Sequence, residues 1–287
     1  MTKRSGRFGD LPLTESRRGL PLPLVTQQMA TSMPVGAPLD EPARVLAGAT
    51  IAISAPAQPR SVPIDQTPTE ISLTQHHLPA EPPDPRLVLV GDPDSDRASA
   101  FRVLRHHLLA AGHPKVIAVT SPRDGEGKTT CATNLAIALA ECGRAKVLLA
   151  ETHLRRPQLA DMFRFSPPWC FAEQLDSHRH QPLLAWTFVE IPQLWLHVAA
   201  VNPHGQRTQI LDAPAFAIAM ERLRLADYDH IVIDAPPVLG SADINLIQDA
   251  VDAIAFSLTA KRSTARDLRR ALDQLGDHKI AGTIFLA

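Results

Sequence analysis

The sequence predicts an α/β fold with a mostly parallel sheet flanked by helices. Short apolar runs of strand length recur from about residue 115 to the end of the chain, and amphipathic helical patterns separate them. Apolar strands that alternate with helices are typical of parallel sheets covered on both faces. A proline-rich stretch without such a pattern precedes this region, so the sequence also predicts two unlike parts.

The individual elements follow from the same two patterns. The helix preceding the first apolar run, for example, spaces Phe101, Leu104 and Leu108 along one face. The predicted strands are 115–120, 145–150, 194–201, 230–234, 253–258 and 280–286. The predicted helices are 98–112, 129–142, 214–226 and 264–276.

The proline-rich part is predicted to be a largely disordered arm covering residues 1–86, with a nucleotide-binding domain at 87–287. About half of the 26 prolines lie before residue 86, and no sustained apolar periodicity accompanies them. The apolar patch VLAGATIAIS at 45–54 is either a docking segment for a partner or part of a linker.

Composition and charge limit the function classes. The net charge is -1, so no nucleic-acid partner is expected. The three cysteines have neither zinc-site spacing nor an even count, which favours a reducing compartment. No apolar run approaches the ~18 residues of a membrane span, and no signal-peptide core follows the basic N-terminus. These features predict a cytoplasmic protein.

The first predicted strand ends in SPRDGEGKTT, residues 121–130, which leads into a helix. Strand, glycine-containing loop, Lys-Thr and helix form the layout of a P-loop, although Pro122 stands where the strict motif has glycine. Gly125 and Gly127 let backbone amides point at phosphate oxygens, Lys128 would bind the β- and γ-phosphates, and Thr129 would bind Mg²⁺. The predicted ATP- or ADP-binding residues are Asp124, Gly125, Glu126, Gly127, Lys128, Thr129 and Thr130.

A second apolar strand, HIVID at 230–234, ends in Asp234. A carboxylate at the end of such a strand can hold Mg²⁺ through water, as in a Walker B motif. Asp234 is therefore predicted as a metal-binding and catalytic residue.

Together these motifs resemble the bacterial tyrosine (BY) kinases, MinD/ParA-like P-loop proteins that partner membrane polysaccharide co-polymerases. The resemblance covers about residues 92–287. Its motifs are the AFRVLR helix, TSPRDGEGKTT, VLLAETHLRRP, YDHIVIDAPPVLGSADI and TAKRSTARDLRRAL. It implies ATP and Mg²⁺ as cofactors and a Wzz-like co-polymerase as partner.

The resemblance also shows where this chain departs from the family. The family's Walker A′ motif has two aspartates at the positions of Glu151 and His153. Glu151 keeps the charge, and a role as base or metal ligand with altered geometry is predicted. His153 does not offer the oxygen ligand that Mg²⁺ prefers and is expected to line the pocket uncharged. Because phosphoryl transfer depends on positioned charge, turnover is expected to be weakened, with Lys128, Glu151 and Asp234 as the candidate catalytic residues.

Two further family features are altered. The oligomerisation motif E-x-x-R-x-x-R has Ser99 in place of the acid, although Arg102 and Arg105 match, so homo-oligomerisation is expected to be weakened. The family's tyrosine-rich tail is not found, and Tyr228, the single tyrosine, is expected to pack in the core.

Three functions are compatible with these motifs. The first is a BY-kinase-like ATP-binding protein of exopolysaccharide or capsule biosynthesis or export, located at the inner face of the membrane through a partner. The second is a catalytically inactive, nucleotide-dependent scaffold. The third is a MinD/ParA-like positioning ATPase, which is disfavoured because Arg123 replaces the lysine typical of that loop.

Overall fold

In the computed structural model of this chain, which describes residues 69–205, 211–276 and 278–286, eight strands form one sheet with helices on both faces. The strands are β1 (Ile71–Gln75), β2 (Val116–Thr120), β3 (Val147–Glu151), β4 (Trp186–Ile191), β5 (Leu196–Ala199), β6 (His230–Asp234), β7 (Ala253–Thr259) and β8 (Ile280–Leu286). The predicted α/β fold is confirmed.

The helices cover the strands in the alternation that the sequence predicts, with additional short helices between them. They are α1 (Val88–Gly91), α2 (Asp96–Ala110), α3 (Lys128–Ala140), α4 (Leu159–Phe163), α5 (Phe171–His180), α6 (Ala213–Leu225), α7 (Asp243–Ala250) and α8 (Ala265–Leu275). No helix in the described ranges is both long enough and apolar enough to cross a membrane.

The strand order is β1-β4-β5-β3-β6-β2-β7-β8, and every pair is parallel except the antiparallel pair β4–β5. Alternate residues of each strand face opposite sides, so Ile117 and Val119 enter one apolar cluster while Val116 and Ala118 enter the other. Every residue of β2, β3 and β6 is buried. The central strands are therefore covered on both faces, which explains their uninterrupted apolar runs.

The parallel register brings the carboxyl ends of the central strands, with their polar residues, to the same side of the molecule. Glu151 at the end of β3 is paired with Asp234 at the end of β6, and Asp234 is also paired with Val119 of β2. The loop that follows β2 therefore begins beside both carboxylates.

The predicted domain boundary at residue 87 lies too far along the chain. Strand β1 lies within the segment predicted to be disordered, and it pairs with β4 from Ile71 opposite Trp186 to Gln75 opposite Glu190. The motif-based boundary missed β1 because this edge strand is short and mostly exposed, so its sequence has little apolar periodicity. The remainder of the predicted arm, including the patch at 45–54, lies outside the described residues.

Asn134 of α3 anchors the segment between β1 and α2 to the core. Its side-chain amide donates to the carbonyl oxygens of Arg86 and Thr130, both at 2.7 Å, and its amide oxygen accepts from the Leu89 amide at 3.2 Å. The helix that starts at the P-loop thus also holds the residues preceding α2.

Candidate functional site

The predicted P-loop is present as a strand, a tight loop and a helix that begins at Lys128. Gly125 and Gly127 have φ values of 76° and 78°, in the left-handed region that favours glycine. A Cβ atom at Gly127 would overlap Cδ1 of Leu286, so the end of that side chain would have to shift. The loop turns at these glycines into the N-terminus of α3, where backbone amides can bind an anion.

Contacts within the loop explain the role of Glu126, which is buried and faces the loop backbone. Its Oε2 accepts the Arg123 amide at 2.7 Å, and its carbonyl oxygen accepts the hydroxyl of Ser257 on β7. The side chain of Glu126 therefore stabilises the loop. Only its backbone amide would be available for the predicted contact with nucleotide. Thr130 lies in the first turn of α3 and is partly exposed.

Lys128 is nearly buried and paired with a carboxylate of its own loop. Its Nζ lies 3.1 Å from Oδ1 of Asp124. The same carboxylate lies 3.7 Å from Nε2 of His153 and 3.7 Å from Nη1 of Arg156. Burial alone would raise the pKa of Asp124, but Lys128, His153 and Arg156 outweigh it and hold that pKa below its usual value. Asp124 is thus the counter-ion of the lysine that is predicted to bind phosphate.

Asp234 is 1% exposed, and its Oδ2 accepts the Thr129 hydroxyl at 2.7 Å. Its Oδ1 is buried and has no hydrogen-bond partner among the described residues. Burial raises the pKa of Asp234 to about 6, although Thr129 and Lys128 oppose the shift. A buried, unsatisfied carboxylate oxygen next to a P-loop threonine fits a magnesium ion or its bound water, because either would supply the missing partner.

The side chain of Glu151 is bound by backbone amides, and its role as base or metal ligand stays a prediction. Its Oε1 accepts the backbone amides of Gln158 and Leu159 at the start of α4, and its Oε2 accepts the Val201 amide at 2.9 Å. The extra methylene, compared with aspartate, lets the carboxyl group reach the backbone amides at the N-terminus of α4. Burial raises the pKa of Glu151 to about 8. Glu151 therefore connects β3, α4 and the residues after β5.

His153 lies at the mouth of the loop and is 6% exposed. Burial and the adjacent Lys128 ammonium lower the pKa of its imidazole to about 4, so the ring is neutral at physiological pH. A cavity of about 220 Å³ adjoins it, lined in part by Asp124, Arg155, Arg156 and Pro236. This is the uncharged, pocket-lining position that the sequence predicts for His153.

Three residues that the sequence did not single out also contact the loop. Ser257 donates to the Glu126 carbonyl, Asp267 accepts hydrogen bonds from Nε and Nη2 of Arg123 at 2.8 and 2.9 Å, and Arg262 packs against Gly125. These contacts arise because β7 is paired with β2, so that residues on β7 and shortly after it lie beside the loop. The one sequence signal for them is the motif TAKRSTARDLRRAL, which contains two of the three.

The two arginines of the altered oligomerisation motif bind a carboxylate of the same chain. Glu141 accepts from Arg102 at 2.7 and 2.9 Å and from Arg105 at 3.1 Å. Ser99, at the position of the motif's acid, is exposed. Weakened homo-oligomerisation stays a prediction.

Tyr228 packs in the core, as the sequence predicts. It is 3% exposed, its hydroxyl lies 2.8 Å from Nδ1 of His197, and burial raises the pKa of its phenol. A phosphate on this oxygen would require the residue to leave the core.

The sequence of this chain matches a model of a known protein family. The sequence model of the ParA family, described as the NUBPL iron-transfer P-loop NTPase, matches residues 113–282, which include the loop, Glu151 and Asp234. The chain belongs to the ParA family of P-loop NTPases.

Individual relatives confirm the resemblance to bacterial tyrosine kinases. The tyrosine-protein kinase CpsD of Streptococcus pneumoniae is 30% identical over 179 residues, covering 62% of this chain and 76% of CpsD. The succinoglycan biosynthesis transport protein ExoP of Rhizobium meliloti is 28% identical over 209 residues, covering 69% of this chain and 26% of ExoP. The chain thus spans about a quarter of the length of ExoP.

Solved structures support the same fold. The kinase domain of the Escherichia coli tyrosine kinase ETK superposes with a TM-score of 0.60 at 21% identity, covering 70% of this chain and 79% of that domain. The chimerical protein CapA2B2 gives a TM-score of 0.59 at 20% identity, covering 76% of this chain and 94% of the chimera.

Replacement of Asp124 by asparagine should strengthen nucleotide binding. Phosphates bound at the loop would have to compete with the Asp124 carboxylate for Lys128, and asparagine removes this competing charge. We expect about two- to fivefold tighter binding of ATP, the scale of one partly exposed ion pair. Calorimetric titration would measure it, with the exposed Asp273→Asn as the matched control. Equal affinities of the wild type and Asp124→Asn would contradict the competition.

Replacement of His153 by asparagine should change how stability depends on pH. The unfolded chain protonates this imidazole near pH 6.5 and the folded chain only near pH 4. Stability contributed by the neutral ring is therefore present above pH 6.5 and lost as the pH falls toward 4. We expect His153→Asn to flatten this part of the curve of unfolding free energy, measured by denaturant titration. The exposed His106→Asn should leave the curve unchanged; an unchanged curve in His153→Asn would refute the assignment.

Proposed function

We propose that this protein binds ATP or ADP together with Mg²⁺. The observation that carries the proposal is the arrangement of Lys128, Thr129 and Asp234, in which the Thr129 hydroxyl binds one oxygen of the buried Asp234 carboxylate and the other oxygen is unpaired. Lys128 and the amides of the loop supply the positive potential that phosphate requires.

Thr129 and Asp234 are the residues that would hold the metal. When bound, Mg²⁺ neutralises charge on the β- and γ-phosphate oxygens. The chain's own contribution is to orient the phosphates with the loop amides and Lys128. Lys128 is already oriented by Asp124, which would have to release it to the phosphates.

We further propose that turnover is weakened relative to the kinases that the chain resembles. The carboxylate of Glu151 is bound to three backbone amides, and His153 is a neutral imidazole beside Lys128. The three amide contacts of Glu151 support Lys128 and Asp234, rather than Glu151, as the residues that would act on the phosphates. A nucleotide-dependent scaffold that does not hydrolyse ATP is the second candidate function, and the same contacts favour it.

The relatives suggest the cellular context. ExoP is named for succinoglycan biosynthesis and transport, and CpsD is named a tyrosine-protein kinase. We propose that this chain acts in exopolysaccharide or capsule biosynthesis or export, on the cytoplasmic side of a membrane co-polymerase. The positioning-ATPase alternative is less favoured, because the residue at the lysine position of that loop, Arg123, is bound by Asp267 within the chain.

Calorimetric titration of the full chain with ATP tests nucleotide binding. We expect binding that requires Mg²⁺ and is lost in Lys128→Ala, because the ammonium is the principal cation at the loop. The matched control is Lys146→Ala, which removes a lysine just before β3, at the amino ends of the central strands and away from the loop. An affinity that is the same with and without Mg²⁺ would contradict the metal site. The absence of ATP binding by the wild type would refute the proposal.

Replacement of His153 by aspartate tests weakened turnover. The variant restores an acid of the family's motif beside Lys128, and we expect Mg²⁺-dependent ATP hydrolysis to rise by about tenfold or more, given the cost of a misplaced catalytic group. Phosphate release at saturating ATP measures it. His153→Asn, which removes the imidazole without adding a carboxylate, should stay at the wild-type rate. Equal rates in all three proteins would show that His153 does not limit turnover.

A further inference from the structure

Arg262, in the turn after β7, places its guanidinium against the P-loop. A Cβ atom added to Gly125 would lie 2.7 Å from Nη2 and 3.2 Å from Nη1 of Arg262. The glycine thus provides the space in which the guanidinium lies. Since β7 is paired directly with β2, the turn that carries Arg262 emerges beside the loop that follows β2.

The charge of Arg262 is not neutralised by the part of the chain that the structure describes. No carboxylate there lies within salt-bridge distance of its guanidinium, whereas Arg123 is bound by Asp267 and Arg156 lies near Asp124. Arg262 is also exposed to solvent. It is therefore a cation beside an anion-binding loop, and its donors remain available to a ligand.

The sheet order indicates which part of a nucleotide this cation would meet. Strand β2 lies between β6 and β7. Asp234 and His153 lie on the β6 side, where Thr129 and Asp234 would hold a metal that neutralises charge on the β- and γ-phosphates. Arg262 lies on the β7 side. The phosphate chain therefore has its γ end toward β6 and its nucleoside end toward β7.

We propose that Arg262 is a second cation of the nucleotide site and binds the phosphate next to the nucleoside. This inference rests on the proposed nucleotide binding and adds a residue that none of the sequence motifs assigned to it. ADP and ATP share the α-phosphate, so the contact contributes equally to both. Asp124, on the β6 side, instead pairs with Lys128 and would compete with the β- and γ-phosphates for it.

Calorimetric titration of the full chain with unlabelled ADP and ATP, each with Mg²⁺, tests the proposal. We expect Arg262→Ala to weaken both nucleotides by the same factor, about tenfold, as for the loss of a charge-assisted hydrogen bond. Arg262→Lys keeps the charge and should recover part of the affinity. The matched control, Arg269→Ala, removes an exposed arginine further along α8 and should bind both nucleotides as the wild type does. Thermal unfolding of each variant verifies that the fold is intact.

The outcomes separate this inference from the function on which it rests. Nucleotide binding that is lost in Lys128→Ala but unchanged in Arg262→Ala would overturn the role of Arg262 and leave the proposed function standing. A loss in Arg262→Ala confined to ATP would overturn the assignment to the nucleoside end. A wild-type chain that binds neither nucleotide would overturn the proposed function itself.

Discussion

The buried carboxylate of Asp234 is the constraint on which the rest of the site depends. It lies at the end of β6 between β2 and β3, and burial there raises its pKa to about 6. The Thr129 hydroxyl satisfies one oxygen and thereby fixes the first turn of α3 against the sheet. The other oxygen is left without a partner in a position where desolvation is costly. A polar ligand on this side of the loop removes that cost.

The two substitutions in the Walker A′ segment change different properties of the site. Glutamate at 151 retains a carboxyl group, but its longer side chain reaches the amides that start α4, so this group serves the fold. Histidine at 153 is polar but lacks the negative charge of the family's aspartate. Its ring is also not positively charged, because burial and Lys128 together disfavour the protonated form. The loss of negative charge beside Lys128 leaves Asp124 as its counter-ion. Both substitutions therefore alter the surroundings of Lys128 and leave Lys128, Thr129 and Asp234 in place.

Several elements could be predicted because their sequences satisfy one strong local rule. The apolar runs of β2, β3 and β6 and the glycines of the loop each have a single structural interpretation. Strands β1 and β4 could not be predicted in this way. β1 is short and mostly exposed. The buried residues of β4 depend on packing against α5, where the ring centroids of His178 and Trp186 lie 3.6 Å apart in a stacked pair. Such contacts join residues that have no mutual signature in sequence.

The sequence by itself determined the fold class and the P-loop and singled out Lys128, Thr129 and Asp234 as candidate residues, because the spacing of one strand–loop–helix unit and the end of one apolar strand encode them. The tertiary structure decided what the remaining charged residues do. The direction of the Glu151 carboxylate, the pairing of Asp124 with Lys128 and the approach of Arg262 to Gly125 all depend on neighbouring strands and loops. Hydrogen bonds and ion pairs act over a few ångströms, and only the folded chain sets those distances.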